Sequence, residues 1–141
     1  MSPLREQIRA VGHEHVSAEH ASTLELTSDD FLTPAGDCIV GIEADCVPNE
    51  FDEEFVVACQ DDSATITVEL EAAGHTDSLT ARGDPELSFE SDRSAVIRTS
   101  AYTDDDRTIA VEATAAAGDL NRELVAALAE GATLTATLSV E

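Results

Sequence analysis

Ala64-Thr65-Ile66-Thr67-Val68-Glu69-Leu70 alternates apolar and polar side chains, and Ala132-Thr133-Leu134-Thr135-Ala136-Thr137-Leu138 repeats the pattern 68 positions later. Alternation of this kind puts one set of side chains on each face of a strand. Working outward, three more blocks recur in the same order. Val40-Gly41-Ile42-Glu43-Ala44 lies over Ile109-Ala110-Val111-Glu112-Ala113, and Phe51-Asp52-Glu53-Glu54-Phe55-Val56 over Leu120-Asn121-Arg122-Glu123-Leu124-Val125, both at an offset of 69. Ile8-Arg9-Ala10-Val11-Gly12 lies over Leu79-Thr80-Ala81-Arg82-Gly83 at an offset of 71. Four blocks in one order point to an internal duplication.

Each copy therefore reads as one unit. A short strand near Ile8 to Val11 ends at Gly12. A second strand is expected from Val16 to Leu26, with Val16, Ala18, His20, Ser22, Leu24 and Leu26 on one parity and a turn or bulge at His20 to Ser22. A third carries Val40, Ile42 and Ala44 inward. A helix follows, capped by Asn49 with an apolar stripe Phe51, Phe55, Cys59; its copy is capped by Asp119, carries Leu120, Leu124 and Leu128, and stops at Gly131. The last strand of the first copy should hairpin through Ala73-Gly74-His75-Thr76-Asp77 into the second. The expected fold class is α+β: two tandem β-rich repeats, each of about four strands and one helix, related by pseudo-two-fold symmetry. The expected organisation is a single compact domain, 1–141, made of repeats 5–73 and 76–141. Strand order is not readable from these patterns.

A chain of 141 residues buries roughly 70% of its unfolded surface, enough for a true core. Thirty acidic residues face seven basic ones, all arginine (Arg5, Arg9, Arg82, Arg93, Arg98, Arg107, Arg122), and lysine is absent. An acidic surface without ammonium groups fits concentrated salt, where the Debye length falls to about 3 Å. That implies a halophilic, cytoplasmic setting, the alternative being an acidic face for a cationic partner. Seven scattered arginines form no basic stripe, so direct DNA binding is not expected. No apolar run is long enough to span a bilayer, and MSPLREQIRA has no signal-peptide core. Cys38, Cys46 and Cys59 are odd in number and form no CxxC, which suggests neither a disulfide framework nor a closed zinc site.

Chemistry concentrates between Gly12 and Gly41, which holds three of the four histidines and Cys38. By strand parity His20 and Cys38 could face one cavity. His20 would act as acid/base or ligand, Cys38 as nucleophile or ligand, and Asp37 or Glu25 as orienting carboxylate. His13, Thr33 and Arg107 are candidate ligand-binding groups. His13 and His20 with Asp37 or Cys38 are a candidate site for a divalent metal such as zinc. Arg107 with Arg93 is a candidate anion-binding wall. The bland readings are a turn or core histidine at His20, a small buried hydrophobe at Cys38 and a plain turn at Pro34-Ala35-Gly36-Asp37. Asymmetry favours function: His13 corresponds to Asp84, His20 to Ser91 and Cys38 to Arg107, whereas Gly12, Glu43 and Glu54 keep their identity. Walker, dinucleotide-binding and nucleophile-elbow motifs are absent. The aspartate runs 29–30 and 104–106 read as solvated loops.

Gly12-His13, His20, Thr23-x-Glu25 and Leu32-Thr33-Pro34-Ala35-Gly36-Asp37-Cys38, with the helix 50–60 and the run 119–125, resemble an archaeal family known as domain of unknown function 371. The resemblance runs over nearly the whole chain. It implies an archaeal source, which with the missing lysines means a halophilic archaeon, and it supplies no activity. The functional expectation is a domain with a small-ligand or metal pocket in the first repeat, catalysis through His20 and Cys38 being one option. The alternative is a non-catalytic module that docks a protein or ribonucleoprotein. No reaction follows from these residues.

Overall fold

A computed structural model describes residues 4–141; Met1 to Pro3, at the start of the expected 1–141 domain and of the N-terminal stretch MSPLREQIRA, lie outside the described residues. The elements run Leu4–Val11 (β1), Thr23–Thr27 (β2), Ile39–Gly41 (β3), Glu53–Cys59 (α1) and Thr65–Ala72 (β4), then His75–Arg82 (β5), Ser94–Arg98 (β6), Thr108–Ala110 (β7), Arg122–Ala129 (α2) and Thr133–Val140 (β8). A 3₁₀ turn precedes each helix, Pro48–Glu50 and Ala117–Asp119. The protein is α+β, with two helices and two four-stranded sheets ordered β1-β8-β4-β5 and β3-β2-β6-β7.

The two sheets are tied at both edges. Val11 bridges Ile42 and Arg82 bridges Val111, each through reciprocal backbone bonds of 2.8 to 3.0 Å. The bridges join the two sheets into a ring at those two points, while β1 and β5 otherwise pair with a strand on one side only. Inside the ring, alternate residues of the long strands fill one core: Ile8, Ile66, Val68, Leu70, Leu134 and Leu138 are all at most 1% exposed. The β4–β5 hairpin pairs Ala72 with His75. Its two-residue loop, Ala73 and Gly74, has φ +52° and +83°, the twist that suits a tight antiparallel turn.

Gly12 and Gly83 permit the closest approaches in the fold. A Cβ on Gly12 would lie 2.0 Å from the Leu128 carbonyl oxygen, and one on Gly83 2.1 Å from that of Cys59. Each helix thus ends against a strand of the other half of the chain. Other features recur at the same offsets: positive φ at Ala18 and Phe89, and at Glu43 and Glu112.

Three expectations need correction. The expected strand from Val16 shortens to β2, because Ala18, at φ +48°, turns the backbone out of the extended region. Val16 and Ala18 are nonetheless buried. Asn49 and Asp119 do not cap the helices: Asp52 does, its side chain accepting from the Glu54 N–H, and Asn121 does the same for the Glu123 N–H. Asp119, like Glu50, instead anchors the preceding 3₁₀ turn through the N–H groups of Ala116 and Val47. The aspartates are also not all solvated. Asp29 holds the Arg93 guanidinium bidentately, and the hydrogen bond from Arg93 keeps its carboxyl below the ordinary range. Burial would raise Asp105, but bonds from Thr108 and Arg98 outweigh it and hold that carboxyl low. No helix among the described residues is long and apolar enough to cross a membrane.

Candidate functional site

His20 lies in the loop between β1 and β2, and its ring nitrogen has a backbone task. Nδ1 accepts from the N–H groups of Ser22 (3.2 Å) and Thr23 (3.1 Å) and contacts the Thr23 hydroxyl at 2.9 Å. A nitrogen that accepts N–H bonds carries no proton, so the ring proton sits on Nε2. In the second half the Ser91 hydroxyl oxygen accepts from the N–H groups of Arg93 and Ser94, both at 3.2 Å. An imidazole at position 20 and a hydroxyl at position 91 thus each accept two backbone N–H groups of the residues that follow. His13 and Asp84 match in the same way: His13 Nδ1 accepts from His15 N–H at 3.0 Å, and Asp84 from Glu86 N–H at 2.9 Å. The His13 and His15 rings lie 5.1 Å apart.

Cys38 does not continue the inward parity of Val40. Residues 36 to 38 form a turn ahead of β3, so the alternation does not carry back. The thiol instead lies 3.6 Å from Glu25 Oε1, and Glu25 sits between the core residues Leu24 and Leu26, facing away from the core. Burial pushes the half-buried thiol up, and the Glu25 carboxylate pushes it further, against a smaller opposing bond from Thr23. Thr23 therefore stands between His20 and Cys38, and the thiol has a carboxylate for its partner. That is the electrostatics of a protonated cysteine rather than a nucleophile.

Asp37 reaches His20 through its backbone, its carbonyl accepting from the N–H groups of Glu19 (3.0 Å) and His20 (3.3 Å). Thr33 is exposed, and its carbonyl closes the turn by accepting from Gly36 N–H at 3.0 Å. Arg93 is paired with Asp29, whereas Arg107 lies beside Glu25. Among the described residues no three His, Cys, Asp or Glu side chains converge as metal ligands.

What does converge is a row across the outer face of β3-β2-β6-β7. Glu25 pairs with Val96, the Glu25 N–H donates to the Cys38 carbonyl and the Val96 N–H to the Arg107 carbonyl, both at 2.8 Å. The row reads thiol, carboxylate, valine, guanidinium. Arg107 Nη1 is 3.8 Å from Glu25 Oε2, with the Glu25 side chain only 13% exposed and that of Arg107 43%. Val96 is 2% exposed yet stands outside the main apolar cluster. Ser94, 1% exposed, lies on the same face, its hydroxyl without a partner among the described residues. The duplicated blocks already aligned Cys38 with Arg107, but nothing in the periodicity brought both to Glu25.

A family model described as a domain of unknown function, DUF371, matches residues 8–141. An uncharacterised protein of Methanocaldococcus jannaschii is 42% identical over 124 residues, 88% of this chain and 90% of that protein. The chain therefore belongs to the DUF371 family.

Proposed function

We propose that the chain is a small-ligand-binding domain whose site is the row Cys38, Glu25, Val96 and Arg107. The observation that carries this is the state of Glu25. From the protein its oxygens meet only a thiol at 3.6 Å and a guanidinium at 3.8 Å, and they keep some contact with solvent, from which a donor can reach them. An external donor would complete it. Catalysis through a His20–Cys38 pair has less support, since Nδ1 is committed to the backbone and the thiol is held protonated. The proposal includes a duplicated scaffold, a single domain of repeats 5–73 and 76–141 with an approximate two-fold between β4 and β8 and between β2 and β6. The recurrent element order, the matched bridges and the paired positive-φ residues support it. We also read the lysine-free acidic composition as adaptation to a salty cytoplasm.

Dialysis of the purified chain against a small-molecule cell extract, read by mass spectrometry, tests the site. Wild type should enrich a small molecule that Glu25→Val does not; equal retention by both would count against it. The second reading, a protein or ribonucleoprotein docking module, draws on Phe31 and Tyr102, exposed aromatics 71 positions apart. Alanine at both should then abolish partner binding without changing small-molecule retention.

A further inference from the structure

We infer that the outer face of the β1-β8-β4-β5 sheet is the contact surface for a second copy of this chain, the two copies packing face to face about a two-fold axis that runs along β8. This face belongs to the other sheet from the proposed ligand site, and neither depends on the other.

Its charge departs from that of the chain. The net charge is −23, yet three consecutive rows across the four strands hold two arginines and two glutamates, the remaining positions being serine, threonine and glutamine. One row reads Arg9, Thr135, Glu71, Thr76, and the next Gln7, Thr137, Glu69, Ser78. In the third, Arg5 pairs with Ser139, which pairs in turn with Thr67. These positions share the outward parity of their strands, opposite to the core residues. On so acidic a chain, a neutral face is where a like-charged copy can approach with least repulsion.

The arginines identify the occupant. Of the seven, Arg82, Arg93, Arg98 and Arg107 each lie beside a carboxylate, and Arg122 donates to backbone carbonyls. Arg5 and Arg9 make neither an ion pair nor a side-chain hydrogen bond among the described residues. Glu69 is equally unpartnered there, and Glu71 accepts only a 3.4 Å bond from the Gly74 N–H. The surface therefore carries both halves of its own complement. A two-fold axis along β8 sets β1 of each copy over β4 of the other. Arg9 then faces Glu71 of the second copy, Gln7 faces Glu69, and Thr135 and Thr137 meet their own counterparts at the axis. Each contact occurs twice, as an isologous interface requires. An axis across the strands would instead set Arg5 against Arg9, so the order of the rows selects between the two arrangements.

Shape agrees with charge. An open depression of about 570 Å³ lies over β4, lined among others by Thr67, Glu69, Glu71, Thr76, Thr135 and Thr137. The long side chains of β1 from the second copy would enter it, and the short hydroxyl side chains of β8 let the sheets approach. Three strands of eight residues overlap, roughly 15 Å by 25 Å, which is small for a specific interface and sets the expected dissociation constant in the micromolar range. In molar salt the Debye length is about 3 Å, so the mutual repulsion of two such acidic chains is screened while charges in direct contact still attract.

Sedimentation velocity of the full chain in molar potassium chloride, over a concentration series, tests this. Wild type should show a reversible monomer–dimer equilibrium that shifts toward monomer as the salt is lowered. Arg9→Glu and Glu71→Arg, both at exposed positions, should each weaken association about tenfold or more with an unchanged circular dichroism spectrum. An equimolar mixture of the two variants should associate again, because each contact then opposes a carboxylate to a guanidinium. A wild type that stays monomeric throughout overturns the second copy as occupant and leaves the face to another partner or to solvent. A dimer that both substitutions leave intact, or a mixture no better associated than its components, overturns it as well.

Discussion

The first and second halves of the chain make nearly the same backbone bonds with different side chains, and the differences divide into two kinds. At 13/84 and 20/91 the residue changes while the task persists: imidazole, carboxylate or hydroxyl accepts the N–H groups of the following turn. At 25/96 and 38/107 the task itself changes. The second half places Val96 and Arg107 where the first places Glu25 and Cys38, and these four residues meet across the middle of one sheet. A histidine present in only one half is therefore weaker evidence of chemistry than a carboxylate present in only one half. His13 and His20 are absorbed by the turn geometry, whereas Glu25 meets only a thiol and a more distant guanidinium.

The largest effects should fall where the halves are alike. Gly12→Ala and Gly83→Ala each drive a methyl into a helix-terminal carbonyl, so each should destabilise by about 3 kcal/mol or prevent folding. Urea unfolding in high salt measures this. A large cost at one glycine and none at the other would break the equivalence of the two helix ends.

A smaller effect separates the two kinds of difference. His20→Ala removes the acceptor for two N–H groups and should cost about 1 to 2 kcal/mol, as should Ser91→Ala. His20→Ser, which installs the residue of the other half, should recover most of that loss in the same unfolding assay. A serine variant as unstable as the alanine one would show that the ring does something the hydroxyl does not.

Cys38 sharpens the contrast without a large change in stability. Burial and then Glu25 raise the thiol, so iodoacetamide should label it slowly near neutral pH and faster only above the range of a free cysteine. Glu25→Gln should shift that profile to lower pH. Because the folded thiol holds its proton more tightly than the unfolded one, its contribution to stability is complete below the unfolded value and fades as pH rises through the folded one. Rapid labelling at neutral pH would restore the nucleophile reading.

Much of the fold was legible because burial follows chain periodicity. The long strands β4 and β8 show alternation along their whole length, Phe51, Phe55 and Cys59 are buried against the core although Phe51 precedes α1, and the turn at Ala73-Gly74 carries its own signal. Where the backbone departs from regular structure, parity failed. Ala18 at positive φ ended a strand that alternation alone would have continued, and the turn before β3 put Cys38 on the opposite face from Val40. The caps were missed because Asn49 and Asp119 precede 3₁₀ turns that composition does not distinguish from helix starts. At the site, Glu25, Cys38 and Arg107 were individually visible as polar residues. Their meeting depends on the β2–β6 pairing, a contact between distant segments that no local pattern encodes.

The unfolding free energy of Glu25→Val is the most direct measure of whether the outer face of this sheet is kept for a ligand. Valine stands 71 positions on, at Val96, paired with Glu25 across the sheet, and Arg107 is exposed enough to lose its loose partner at little cost. Replacing an under-bonded, mostly buried carboxylate should therefore stabilise the ligand-free chain by about 1 kcal/mol, the usual sign of a residue retained for function rather than folding. A loss of about 1 kcal/mol or more would mean that Glu25 holds the sheet together, and the face would then be structural.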